Sequence, residues 1–165
     1  MNYYRVLFSN DYAKKKGIFG LVETLPDADL HLIAYNKPFP TEEINKYKFY
    51  LEKGVFADLQ MCINPWRIVS KKLKYILDEF KDDNTFFYSI NLFCKEKKLS
   101  EEYFILHFRK TAGFNESDFS DSLNKVKNFH FQGFDDSITG VFFVSELVKI
   151  KIEANNLTGM SFDKL

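Results

Sequence analysis

The stretch Val141-Phe-Phe-Val-Ser145-Glu-Leu-Val-Lys-Ile-Lys-Ile-Glu-Ala-Asn-Asn-Leu-Thr-Gly159-Met-Ser-Phe162-Asp-Lys-Leu165 reads as strand, helix and strand in immediate succession. Its β-branched and aromatic run ends at Ser145, helical periodicity follows, and Gly159 precedes a short closing strand. A serine just ahead of helical periodicity is an N-cap, because its hydroxyl accepts a bond from an otherwise unpaired N–H of the first turn. The same arrangement occurs earlier, as Trp66-Arg-Ile-Val-Ser70-Lys-Lys-Leu-Lys-Tyr-Ile-Leu-Asp-Glu-Phe80. There Leu73, Ile76, Leu77 and Phe80 recur at i, i+3, i+4 and i+7, the pattern of one buried helix face. Two copies of strand, capping serine and amphipathic helix are the organising pattern of the chain. Neither serine sits in a G-x-S-x-G elbow or beside a base, so capping accounts for both.

Outward from these blocks, Tyr3 to Phe8 is β-prone, and Leu30, Leu32 and Ala34 alternate with His31, Ile33 and Tyr35 as a second strand. Pro38 and Pro40 interrupt regular structure. Thr41 is placed to cap a helix over Glu42 to Lys53, ended by Gly54, with Ile44, Tyr47 and Leu51 as its stripe. Val55 to Ile63, Thr85 to Phe93, Tyr103 to Lys110, Phe129 to Phe134 and Gly140 to Val144 read as further strands, with a turn at Asp82-Asp83-Asn84. No linker or low-complexity tract divides the chain. The expectation is one α+β domain over residues 1–165, mainly antiparallel or mixed sheet with two to three amphipathic helices.

The 165 residues suffice for one domain with a real core. The 19 Phe and 9 Tyr lie along every apolar run, which makes them core before they are a ligand surface. Lys plus Arg and Asp plus Glu both number 23, so no global field draws the chain to nucleic acid or to an anionic membrane. Cys62 and Cys94 sit in apolar runs without disulfide or metal spacing. The start, Met1-Asn-Tyr-Tyr-Arg-Val-Leu-Phe8, lacks the parts of a signal peptide, and no apolar run has the length of a membrane span. A cytoplasmic protein with no cofactor is expected. His31, His107 and His130 fit no metal-ligand spacing, and Gly17-Ile-Phe-Gly20 is no phosphate loop.

Three pieces of the chain resemble a known family. They are Asp58-Leu59 followed by Ser70-Lys-Lys-Leu-Lys-Tyr-Ile-Leu77; Tyr103-Phe-Ile-Leu-His-Phe108 followed by Asp118-Phe119-Ser-Asp-Ser122; and the terminal block with Val144-Ser145-Glu146-Leu147 and Leu157-Thr-Gly159-Met-Ser-Phe162. In their order they are similar to the bacterial polymorphic-toxin immunity proteins of the myxobacterial immunity-domain type, over about Ala57 to Leu165. The resemblance implies a cytoplasmic protein that binds one cognate toxin domain and blocks it; from the residues themselves, no catalytic group is expected.

Such an inhibitor needs a surface of roughly 800 Å² with a few aromatic anchors and complementary charge. The local surplus of acid, Glu116, Asp118, Asp121, Asp135 and Asp136 with Phe114, Phe119 and Phe134 between them, is the expected docking surface. Two alternatives follow from other residues. A small enzyme would use His107, Arg109, His130 and Gln132, which strand pairing would gather on one polar face. The commoner meaning of those residues is the solvated side of a half-buried sheet whose other side carries Phe104, Phe108, Phe129 and Phe131. A general interaction module of a bacterial assembly is the second alternative.

Overall fold

Strand β9 (Tyr103–Phe108) organises the molecule because both of its faces are covered. Phe104, Leu106 and Phe108 point into one apolar cluster and Tyr103 and Ile105 into another. A strand buried on both sides carries an unbroken apolar run, which is how Tyr-Phe-Ile-Leu-His-Phe reads. The chain is seen in a computed structural model that describes residues 2–9, 20–26, 41–51, 56–62, 66–95, 97–98, 101–108, 112–113, 129–135 and 142–165.

Three sheets are formed among the described residues. The first orders β4 (Leu59–Gln60), β5 (Arg67–Ser70), β9 and β6 (Thr85–Ile90), all antiparallel. The second orders β10 (Ala112–Gly113), β11 (Phe131–Asp135), β12 (Phe142–Ser145), β1 (Tyr3–Phe8) and β13 (Met160–Lys164). The third orders β2 (Glu23–Leu25), β3 (Lys48–Leu51), β7 (Leu92–Cys94) and β8 (Lys97–Lys98), with β3 and β7 parallel. Two helices, α2 (Lys71–Asp78) and α3 (Glu146–Ala154), and a single turn, α1 (Thr41–Ile44), complete an α+β architecture of antiparallel and mixed sheet.

The larger cluster gathers one face of the first sheet (Val69, Leu106, Phe108), one face of the second (Val6, Phe131, Phe142, Val144) and the inner stripes of both helices. Those stripes are Leu73, Ile76 and Leu77 on α2, and Val148 and Ile152 on α3. Each such side chain taken from water stabilises the fold by about 1.5–3 kcal/mol. The smaller cluster lies between the other face of the first sheet and the third, around Phe49, Leu51, Trp66, Ile68 and Leu92.

Several expectations are corrected. The helix over Glu42 to Lys53 stops after one turn, and Lys48–Leu51 is a strand paired with Glu23–Leu25 and Leu92–Cys94. Phe49 and Leu51, at strand spacing, are the residues buried there, so sheet pairing prevails over a weak helical stripe. The run Thr85 to Phe93 breaks at Asn91 into β6 and β7, which join different sheets. The strand expected near residues 29–35 lies outside the described residues. Of residues 55–63, only Leu59–Gln60 is strand among those described.

Candidate functional site

Helix α2 is fixed at its start by two groups. Ser70 Oγ accepts from Leu73 N at 3.2 Å and donates to Asp58 Oδ1 at 2.6 Å. The other Asp58 oxygen accepts from Thr158 N at 2.9 Å and from Thr158 Oγ1 at 3.0 Å. One carboxylate thus ties the start of α2 to the turn after α3, and the helices lie side by side. Glu79 and Lys151 pair across them, with the Lys151 ammonium 5.1 Å from the Phe80 ring centroid.

The outer surface of this pair is the candidate site. In α3 the apolar residues do not form one stripe. Successive residues turn by about 100°, so Ile150 lies roughly 200° from Val148 and from Ile152. Val148 and Ile152 are buried, whereas Ile150 is 54% and Leu147 46% exposed. On α2, Tyr75 is 61% exposed. An open groove of about 660 Å³ runs between the helices, walled by Tyr75, Ile76, Ile150, Ala154 and Leu157, with Lys72 and the Glu79–Lys151 pair at its rim. Apolar walls rimmed by charge suit another protein surface better than water. The pattern was present in the sequence: Leu147 and Ile150 fit no single stripe with Val148 and Ile152.

The charges beside it are locally compensated. Burial raises the Asp78 carboxyl, but hydrogen bonds and charge from Lys74 and Lys81 outweigh it and hold the group below the usual carboxylate range. The hydrogen bond and charge of Glu102 raise Lys71. Burial pushes the Tyr103 phenol well up, with the charges of Glu101 and Asp58 adding to it, and its hydroxyl donates to Ala57 O at 3.3 Å.

Of the expected docking residues, Phe114, Glu116, Asp118, Phe119, Asp121 and Asp136 lie outside the described residues. Only the backbone of Phe134 and Asp135 is described; it lies in β11 and pairs in parallel with Ala112 and Gly113, just ahead of the acidic stretch. The polar constellation around His107 does not assemble as expected. β9 and β11 belong to different sheets. His107 is buried on the side of the smaller cluster, its ring 6.2 Å from Tyr88, not on a solvated face. His130 packs 5.1 Å from Phe80, with Nδ1 3.4 Å from Ser145 Oγ. Gln132 is half-buried in β11, and Arg109 lies outside the described residues.

Ser145 holds the N-cap position of α3 with φ −71° and ψ 161°, but its hydroxyl makes no cap bond. Sequence reasoning also passed over Arg67, which is buried with its guanidinium 5.2 Å from the Phe108 ring centroid. Among the described residues no three His, Cys, Asp or Glu side chains gather as a metal site, and no helix is long and apolar enough to cross a membrane. No protein-family model and no curated protein matches the chain.

Proposed function

We propose that this chain is an immunity protein, which binds one cognate bacterial toxin domain in the cytoplasm and neutralises it by occlusion. The observation that carries this reading is the α2–α3 face, where Tyr75 and Ile150 stand exposed on an open groove although α3 has a buried stripe of its own. An inhibitor of this kind needs anchors in a desolvated centre and a polar rim, not a convergent acid and base. The resemblance over Ala57 to Leu165 supports the same reading, since two of its three pieces meet at the Asp58–Ser70–Thr158 junction under this face.

The acidic stretch from Glu116 to Asp136 contributes charge to the encounter with a basic toxin, raising the on-rate more than the affinity. Co-expression with the product of the neighbouring gene, as the candidate toxin, tests the proposal. Equimolar co-elution in size exclusion and rescue of growth are expected. A toxin that neither co-elutes with this chain nor loses toxicity in its presence refutes it.

A further inference from the structure

We infer that the chain carries one five-element structural unit twice, and that the groove between α2 and α3 is the seam between the two copies. The first copy runs β4, β5, α2, β6 and is completed by β9, in the sheet order β4-β5-β9-β6. The second runs β11, β12, α3, β13 and is completed by the N-terminal strand β1, in the order β11-β12-β1-β13. In each copy the strand before the helix lies between its predecessor and the completing strand, and the strand after the helix takes the far edge.

Shared element order follows from general packing rules, but register does not. Ser70 lies opposite Tyr103 and Val69 opposite Phe104; Ser145 lies opposite Tyr3 and Val144 opposite Tyr4. Leu59 faces Val69 as Phe131 faces Val144, and Phe87 faces Leu106 as Phe162 faces Val6. The backbone bonds agree as well. Ser70 N donates to Asp58 O at 2.8 Å and Ser145 N to His130 O at 2.7 Å. Lys71 N donates to Glu102 O and Glu146 N to Asn2 O, both at 3.0 Å.

Side chains follow the same correspondence. Ser70, Lys74, Asp78 and Phe87 fall at the spacings of Ser145, Lys149, Glu153 and Phe162. Lys74 pairs with Asp78 and lies 5.1 Å from Phe87 and 5.3 Å from Phe104. Lys149 pairs with Glu153 and lies 5.5 Å from Phe162 and 5.1 Å from Tyr4, the corresponding rings. One lysine, ion-paired a turn ahead and set against two rings of two strands, recurs in both copies. The groove obeys the relation too: Tyr75, Ile76 and Glu79 occupy the helical positions of Ile150, Lys151 and Ala154. The candidate docking face is therefore built from equivalent positions that carry different side chains, while Leu73 and Leu77 beneath it have apolar counterparts in Val148 and Ile152.

A register-matched graft tests this. Val69–Asp78 replaces Val144–Glu153 in the full chain, and in a control Lys71–Phe80 replaces the same residues. Thermal unfolding followed by circular dichroism should give the matched graft one cooperative transition within about 10 °C of the parent, with the shifted control far lower or without a transition. A control as stable as the matched graft overturns the inference. Should neither graft fold, an experimental structure of the parent decides. The duplication stands if one copy superposes on the other within half the strand spacing, about 2.4 Å, and falls if it does not.

Discussion

Ser70 and Ser145 stand in the same place ahead of a helix, yet their hydroxyls are used differently. Ser70 caps Leu73 N and holds Asp58, so Ser70→Ala should cost about 1–2 kcal/mol in urea unfolding. Ser145 makes no cap bond, so Ser145→Ala should cost under about 0.5 kcal/mol. The sequence pattern located both caps because strand-then-helix periodicity is a local signal. It had no access to whether the hydroxyl faces the first turn or a neighbouring ring. Asp78 gives a pH dependence. Its carboxyl is held below its unfolded value, so it adds stability above about pH 4 that is lost as pH falls below it. Asp78→Asn should therefore shallow the acid limb of the stability curve measured in urea. Tyr103 acts at the other end. A phenol raised by burial stays protonated in the fold while the unfolded chain ionises above about pH 10, so stability falls there, and Tyr103→Phe should remove part of that alkaline loss.

Among the elements, those with strong periodicity were legible and those decided by pairing were not. Helix α2 and strands β1 and β9 lie where their patterns put them. Lys48–Leu51 was not legible as a strand, because its partners, Glu23–Leu25 and Leu92–Cys94, are far away in sequence. The alternation along β9 is legible in the sequence, but the burial of the side carrying His107 is not, because the third sheet that covers it is assembled from scattered short strands. Gly159 was legible as a break and proves to be a tight junction. Its φ of +86° and the space a Cβ would share with Leu59 O and the Ala57 Cβ exclude any side chain. Gly159→Ala should cost about 3 kcal/mol, read from the urea midpoint at unchanged slope.

For the whole molecule, the α2–α3 face brings exposed apolar residues of two helices, Tyr75 and Ile150, to one open groove. Its composition was written in the sequence, as two apolar residues too many in α3, but its exposure depended on α2 lying alongside. The acidic stretch was legible as charge alone, since charge is additive along a chain and needs no fold to be counted. The proposed function places binding of the toxin domain at that face. Titration calorimetry of the purified chain with its cognate toxin domain tests it, comparing the parent with a Tyr75→Ala/Ile150→Glu double variant of unchanged Tm. An equimolar complex is expected, weakened by at least about 30-fold in the double variant, the equivalent of losing one hot spot of about 2 kcal/mol. Equal affinity of parent and variant would contradict it.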